Sequence, residues 1–319
     1  MLALVTGATG FVGSHVVEEL LARGWRVRCT VRSTSRLRWL DGKPVETVRA
    51  DLLDPASLTA AVDGVDAVFH VAGVLTGKTY ADYRAGNVMA TRNLLSAGKP
   101  RRFVYVSSIT ACGPSADGTP IGEDRPCKPI SLYGRSKREA EEEVLRRGSD
   151  VAVTIVRPPV VYGPRDEGML DLYQTLAKGL RPQIGGTKYV SLIHVRDLAK
   201  GIVLAAGEAA ANQVFFLSNR EPVAYDDLAG LILQALGRKA VPVPVPDRVV
   251  RLLGGIAEGV TKVTGGGGLF SRDKALEMTQ KFWVCTPEKA KRLLGWEATI
   301  APATGFQETL EWYRAEGLV

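Results

Sequence analysis

The stretch that most limits what this chain can become is TGATGFVG, Thr6 to Gly13. It places glycines at 7, 10 and 13 between the apolar run MLALV and a segment with Val12, Val16, Leu20 and Leu21 at helical spacing. A strand therefore runs into a helix through a glycine turn. Glycine there permits positive φ and lets a ligand come close to the backbone, while the N–H groups and dipole of a helix N-terminus attract phosphate. The spacing GxxGxxG differs from GxGxxG but rests on the same physics. A tight connection with no ligand would carry the same glycines, so the rest of the chain has to decide.

Strand-like runs LALVT, RVRCTV, VETVRA, DAVFHVA, RFVYVSS, VAVTIVRP, YVSLIHV and QVFFLS recur between helical patterns such as PASLTAAVDG, YRAGNVMATRNLLSAG and SLYGRSKREAEEEVLRRG. This alternation predicts an α/β fold with a doubly wound parallel sheet. Its near-continuous Val, Ile, Leu and Phe suit strands buried on both faces. From about Pro164 the pattern loosens, and beyond Asn219 it is mainly helical. The expected division is 1–164 with 188–219 as one part, and 165–187 with 220–319 as a smaller second part. Thr286 before Pro287 reads as a helix start. VPVPVP, Val241 to Pro246, reads as a stiff connector and the glycines at 265–268 as a flexible one.

With 319 residues and 45% hydrophobic content, the chain can bury the large core of a two-part enzyme. Cys29, Cys112, Cys127 and Cys285 lack CxxC spacing and there are three histidines, so neither a metal site nor a disulfide framework is expected. A reducing cytoplasm is the expected compartment. No run has the length of a bilayer span, so a soluble protein without stable membrane insertion is expected. The net charge of +7 is concentrated in RVRCTVRSTSRLR, which holds five arginines. No aromatic residues interleave with them and no helix-turn-helix signature appears, which argues against nucleic acid as a partner.

Three features carry candidate chemistry. Tyr133 and Lys137 stand four apart on a predicted helix, hence on one face, and an ammonium near a phenol lowers the phenol's pKa toward that of a working acid or base. FVYVSS brings Ser108 to the carboxyl edge of the sheet, where open α/β folds bind ligands; the same serine would serve as a turn cap. Asn87, early in the helix after the fourth strand, is placed to bind a water or backbone group and steady the lysine.

Taken in order, TGATGFVG, HVAG, SS, YxxxK, RPPVVYGP and IHVRDLA resemble the extended short-chain dehydrogenase/reductase family of the epimerase/dehydratase type, and the C-terminal CTPEKAKRLLGW and GFQETLEWYR extend the likeness over essentially the whole chain. The resemblance implies a Rossmann dinucleotide-binding domain at 1–164 and 188–219 and a substrate-binding domain at 165–187 and 220–319. It implies that Gly7, Gly10 and Gly13, with the backbone at Phe11 and Val12, hold a pyrophosphate. Asp51 and Leu52 would flank the adenine, and Val71, Ala72 and Gly73 the ribose and nicotinamide side. Pro158 and Val161 would lie near the carboxamide. Ser108, Tyr133 and Lys137 would be the catalytic set, with Lys137 also on the ribose, and His194 would sit at a structural turn. A homodimer joined through the helices bearing Asn87 and Tyr133 is also implied. One departure is Cys112, where the family often has tyrosine.

Arg32 occupies the place, about twenty residues past the glycines, where an acidic residue would accept from an adenosine 2′-hydroxyl. A guanidinium there favours a 2′-phosphate, with Ser33 and Arg36 close by, so NADP(H) is expected over NAD(H). SITACG lacks the Asp-Glu pair usual in sugar dehydratases, which disfavours dehydration. Sugar-nucleotide epimerases commonly place an arginine where this chain has Val190 and Ser191, although Arg165 or Lys188 would be substitutes. TVRSTSRL and SLIHVRDLA resemble more nearly the dihydroflavonol-reductase and hydroxysteroid-dehydrogenase branches. The leading expectation is hydride transfer to or from a ketone or secondary alcohol on a relatively apolar small molecule. An epimerase with bound dinucleotide and a non-catalytic NADP-binding sensor are the alternatives. DRVVRLLGGIAEGVTKV, an amphipathic pattern, is suited to cover an apolar substrate, to ordinary packing or to a membrane surface.

Overall fold

Seven apolar strands form one parallel sheet: β1 (Leu2–Thr6), β2 (Arg26–Val31), β3 (Val45–Arg49), β4 (Ala67–His70), β5 (Arg102–Val106), β6 (Ala152–Arg157) and a later strand at Gln213–Phe216. Its order, starting from that last strand, is Gln213–Phe216, β6, β5, β4, β1, β2, β3, and every pairing is parallel. The computed structural model describes the backbone at 1–264 and 270–319 and the side chains at 1–259 and 270–319, so the glycine run at 265–268 lies outside the described residues.

The continuous apolar character of the strands has a direct cause. Ala3, Val5, Val104 and Val106 face one core, with Val16, Val17 and Leu20 of α1 (Phe11–Ala22). Leu4, Phe103, Tyr105, Val153 and Ile155 face the other, with Leu58 of α2 (Pro55–Val62), Leu94 and Leu95, and Ala140 and Val144. Alternate residues thus point to opposite faces and both faces are covered. The strand order reverses between β1 and β4, so the glycine turn and the segment after β4 meet at the switch point, outside the carboxyl ends of the strands.

The predicted helix over YRAGNVMATRNLLSAG is not continuous. It comprises α3 (Tyr80–Tyr83), a π-helical stretch at Arg84–Met89 that contains Asn87, and α4 (Ala90–Ser96). Widened turns of this kind recur at functional sites. The tyrosine and lysine lie on α5 (Leu132–Leu145) as expected.

The remaining elements are β7 (Val160–Tyr162), α6 (Leu170–Ala177), β8 (Leu180–Ile184), β9 (Tyr189–Val190), β10 (Leu192–His194), α7 (Val195–Leu204), then the sheet strand Gln213–Phe216 as β11, β12 (Val223–Ala224), α8 (Tyr225–Leu236), β13 (Val241–Val245), α9 (Asp247–Thr264), α10 (Arg272–Met278), β14 (Phe282–Trp283), α11 (Glu288–Leu294) and α12 (Pro302–Ala315). Two expectations are corrected here. YVSLIHV is not a strand of the main sheet: it divides at Ser191, whose hydroxyl accepts from the Cys285 N–H at 3.0 Å, and its halves pair with β7 on one side and with β12 and β14 on the other. VPVPVP, expected as a stiff connector, is an extended strand instead: β13 pairs in parallel with β8, its one partner among the described residues, so Pro242 and Pro244 cost no bond on a second side. A separate core cluster gathers Tyr162, Tyr173, Leu192, Phe216, Ile232, Phe306 and Tyr313.

The glycine turn is packed too tightly for side chains. Gly7 has φ +71°, and a Cβ there would lie 2.8 Å from the Ala72 nitrogen, while one on Gly13 would lie 2.0 Å from the Gly7 carbonyl oxygen. Gly13→Ala should therefore cost about 3 kcal/mol or more, the upper range for overpacking against backbone. Thermal denaturation of the purified variant checks this; an unchanged melting temperature would contradict the packing described.

Candidate active site

The site forms where β5 and β6 end and α5 begins. The Ser107 N–H donates to the Val156 carbonyl at 2.7 Å and the Ile109 N–H to the Pro158 carbonyl at 2.9 Å, so the chain stays zipped to its neighbour past the end of the strand. Ser108 then caps a short 3-10 turn, Ile109–Ala111, accepting from the Thr110 N–H at 3.2 Å and the Thr110 hydroxyl at 2.9 Å. With its lone pairs used in this way, its own proton is left to donate. The hydroxyl stands close enough to Tyr133 to hold the phenol's pKa down in part. The turn-cap reading of this serine is thus what the structure holds.

Gly134 explains how the phenol arrives there. A Cβ at this position would lie 2.4 Å from the Thr110 carbonyl oxygen, so only glycine lets the first turn of α5 press against the turn that carries Ser108. Ser131 caps α5 by accepting from the Gly134 N–H at 3.0 Å, and donates its own proton to Glu277 at 2.6 Å. Asp273 accepts from the Leu132 N–H at 2.8 Å and the Tyr133 N–H at 3.3 Å. Both carboxylates belong to α10. Sequence reading missed them, since nothing local marks α10 as the cap of a helix some 140 positions earlier in the chain.

Lys137 is 3% exposed; its ammonium donates to the Val106 carbonyl at 2.7 Å and lies 4.3 Å from the centre of the Tyr105 ring. Burial pulls its pKa down to about 7, with Glu141 acting in the opposite direction. Burial also pushes the Tyr133 phenol above its ordinary range, Glu277 adds to this, and the nearby Ser108 offsets only part. The expected lowering of the phenol by the lysine is therefore not what this structure holds: the lysine is spent on a carbonyl and is itself half-discharged near neutrality.

Asn87, 1% exposed, binds both backbone groups of Val74 in the segment after β4, accepting from its N–H at 2.7 Å and donating to its carbonyl at 3.1 Å. It also donates to the Ser136 hydroxyl at 2.8 Å. It thus binds backbone, as expected, and reaches the lysine only through Ser136. Gly73 lies against both: a Cβ there would be 3.2 Å from the Asn87 Oδ1 and 3.7 Å from the Lys137 Nζ.

A second polar chain runs beneath. Thr91 donates to the Asn87 carbonyl at 2.5 Å, leaving its oxygen to accept from His70 Nε2 at 2.9 Å; His70 Nδ1 then accepts from Thr6 at 2.7 Å, and Thr6 accepts from the Ala72 N–H at 3.3 Å. Burial, with Lys137 nearby, lowers the His70 pKa to about 3, so it is the neutral link this chain requires. It was not singled out in the sequence, where HVAG reads only as the end of a strand.

Around the switch point, Gly10 is exposed and starts α1 without a side-chain cap, and no acidic residue lies in the first turn that Phe11 and Val12 begin. Such a turn, uncapped and open beside a glycine cradle, fits a pyrophosphate. Arg32 follows β2 directly, and Arg32, Ser33 and Arg36 are all exposed. Asp51 follows β3 and accepts from the Leu53 N–H at 2.9 Å, beside Leu52. Val71, Ala72 and Gly73 line the end of β4. Pro158 is buried just after β6, and Val161 lies in β7.

Two candidates for gripping a diphosphate are engaged elsewhere. Arg165 donates to Ser14 at 3.0 Å and Glu18 at 2.6 Å and lies over the Trp39 ring. Lys188 donates to Asp247 and the Thr279 carbonyl, both at 3.1 Å. His194 is buried, caps α7 and has its pKa lowered to about 4 by burial, the structural role the resemblance implied. Among the described residues no cluster of three metal-ligating side chains occurs, and no helix is long and apolar enough to cross a membrane.

A parallel doubly wound sheet with a glycine cradle at its switch point defines a nucleotide-binding α/β protein. Residues 3–217 match the NAD dependent epimerase/dehydratase family, and the chain belongs to it. It is similar to a ceramide reductase of Caulobacter vibrioides, 30% identical over 317 residues that cover 98% of this chain and 94% of that one. It is also similar to a 3 beta-hydroxysteroid dehydrogenase/Delta 5-->4-isomerase of Mycobacterium tuberculosis, 33% identical over 272 residues covering 78% and 73%. The crystal structure of gox2253 superposes with a TM-score of 0.85 at 30% identity, covering 100% of this chain and 99% of that one.

The buried lysine has a consequence for stability. Its folded pKa of about 7 lies below the ordinary lysine value of 10.5, so between those values the unfolded chain binds more protons and stability rises with pH. The cost of burying the charge is full below pH 7 and fades toward 10.5. Lys137→Met should thus be most stabilised relative to wild type at pH 6, with the advantage shrinking through pH 7–10. Melting curves of both proteins across that range test it; a pH-independent difference would show that the lysine is not discharged by burial.

Proposed function

We propose that this protein is a reductase, reversible as a dehydrogenase, that acts on a ketone or secondary alcohol of a relatively apolar small molecule with NADP(H) preferred over NAD(H). One observation carries the reading: Tyr133, its phenol raised above the ordinary range by burial and Glu277, is brought by the close approach of Gly134 to the turn that carries Ser108, at the carboxyl edge of the sheet. A phenol that keeps its proton at neutral pH is a general acid, and reduction of a carbonyl needs one for the developing alkoxide. The names of the ceramide reductase and hydroxysteroid dehydrogenase relatives support this direction.

In this reading Gly7, Gly10 and Gly13, with the backbone at Phe11 and Val12, hold the pyrophosphate of the dinucleotide. Arg32, Ser33 and Arg36 face a 2′-phosphate, Asp51 and Leu52 flank the adenine, Val71, Ala72 and Gly73 flank the ribose and nicotinamide side, and Pro158 and Val161 the carboxamide. When bound, the dinucleotide supplies or accepts the hydride. Tyr133 gives its proton to the substrate oxygen in reduction and removes it in oxidation. Ser108 holds that oxygen by donating its one hydroxyl proton to it. Lys137 binds the ribose and, with its pKa near neutrality, takes up or passes on a proton without leaving a full charge buried. Asn87 positions Gly73 and, through Ser136, the helix that carries both. Epimerisation of a sugar nucleotide is less well supported, because Arg165 and Lys188 are already paired.

Tyr133→Phe should lower kcat by about 10²–10⁴-fold, the range for loss of a general acid, while dinucleotide affinity changes little. Steady-state assays on a panel of apolar ketones, run beside a sugar-nucleotide panel, read this out. Full turnover by the variant, or turnover by wild type on sugar nucleotides alone, overturns the reading; no turnover on either panel favours the sensor alternative. For the coenzyme, NADPH should bind roughly 10-fold or more tightly than NADH, and Arg32→Glu should abolish that ratio. Fluorescence titration with both forms checks it, and equal affinities in the wild type would defeat the assignment of Arg32.

A further inference from the structure

We propose that Cys112 and Cys127 form a modification site: a dithiol that reacts with a hydroperoxide and closes to an intramolecular disulfide at the end of the turn that Ser108 begins. Nothing in the sequence brings them together, since they stand fifteen positions apart on an irregular loop. In the structure both are free thiols, and their sulfurs lie 3.0 Å apart. The backbones around them already abut. The Lys128 N–H donates to the Cys112 carbonyl at 2.8 Å, and a Cβ on Gly113 would lie 2.1 Å from the Lys128 carbonyl oxygen. A disulfide needs its sulfurs about 2 Å apart. The remaining approach of about 1 Å is shared between side-chain rotation and a small shift of the two backbones.

The two thiols are not equivalent. Cys112 is buried, whereas Cys127 is half-buried and meets solvent. The two sulfurs are within hydrogen-bond distance of each other, and that contact, aided by the Arg157 guanidinium against the opposing effect of burial, lowers the pKa of Cys127. Its partner Cys112 is held well above the ordinary range by the same contact and by burial. This is the division of labour a peroxide-reactive pair needs, an accessible thiolate with a protonated thiol in contact. The other two cysteines lack it: Cys29 and Cys285 are buried, and burial pushes each up to about 12.

The chemistry balances. The Cys127 thiolate attacks one oxygen of the hydroperoxide, the O–O bond breaks, and the departing alkoxide or hydroxide takes up a proton, leaving Cys127 as a sulfenic acid. The Cys112 sulfur then attacks the Cys127 sulfur, the S–O bond breaks, and the oxygen leaves as water with the Cys112 proton. Two thiols lose two electrons and one peroxide gains them. A small dithiol reverses the change by exchange.

The position of the bridge gives it an effect on the site. Cys112 closes the turn that Ser108 begins, and Cys127 opens the segment that runs through Ser131 into α5 and Tyr133. Drawing the sulfurs together by about 1 Å pulls these two segments against each other, and displacements of that size near reacting groups cost up to ~10²-fold in rate. This consequence rests on the catalytic reading of Ser108 and Tyr133; formation of the bond does not.

The test treats the full-length protein with a small excess of hydrogen peroxide and follows intact mass, free thiols and turnover, before and after dithiothreitol. The expected result is loss of two hydrogens with no added oxygen, a fall in free thiols from the four present to two, a peptide crosslink joining Cys112 to Cys127, and a drop in kcat of roughly 10-fold that dithiothreitol restores. Cys127→Ser and Cys112→Ser proteins should each show no such loss of mass, and the Cys127→Ser protein should keep its turnover under peroxide. Stable sulfinic acid on Cys127, or a crosslink between two chains, overturns the modification site. Formation of the bond with unchanged kcat overturns its coupling to Ser108 and Tyr133. Because mass and thiol count need no substrate, failure of the proposed reductase activity would leave the disulfide result standing and readable.

Discussion

Everything at the carboxyl edge of this sheet is organised around one buried carboxylate. Glu141, on α5, accepts from Arg157 Nε at 2.8 Å and Nη2 at 2.7 Å, from the Ser107 hydroxyl at 2.6 Å and from Arg138 at 3.2 Å. It is fully buried and Arg157 is 2% exposed. A planar guanidinium against a carboxylate permits only one relative placement of the two backbones that carry them. Here those backbones are the end of β6 and the helix of Tyr133 and Lys137, with Ser107 adding the end of β5. Replacing such a pair with apolar residues often costs nothing in stability, so its value lies in geometry. It sets the height and rotation of α5 above the strands that deliver Ser108, and its guanidinium faces the two cysteines next to that turn.

The second constraint comes from the far end of the chain. Asp273 and Glu277 reach from α10 to the first turn of α5, so a helix near the C-terminal end of the chain caps the one that carries Tyr133 and Lys137. Glu277 also raises the Tyr133 pKa, which links the position of α10 to the protonation of the phenol.

How much of this was legible depends on the range of the interaction. Gly7, Gly10 and Gly13, the serine after β5, and the tyrosine and lysine one turn apart on α5 are local patterns, and each lies where its neighbours in sequence implied. Asn87 was expected to bind backbone and does, although the widened turn that carries it could not be read from a helical period. The electrostatics of the pair were misread, because proximity of an ammonium to a phenol was inferred from helical spacing. Burial and the Val106 carbonyl, both non-local, hold the lysine instead. Arg165 and Lys188 looked available as cations, and only their partners in space, Glu18 and Asp247, show otherwise. VPVPVP reads as a connector because proline disfavours a strand interior, yet an edge strand with one partner tolerates it.

The sequence by itself determined the two-faced apolar strands, the glycine turn and the order of the motifs, because these follow from residue periodicity and from steric demands within a few positions. Only the tertiary structure decided which charges meet. It joined Glu141 to Arg157, brought α10 to the start of α5 and set Cys112 beside Cys127. Those contacts join residues 15, 16 and 140 positions apart, beyond the reach of any local period, and their energies depend on burial and on hydrogen-bond geometry that no local pattern encodes.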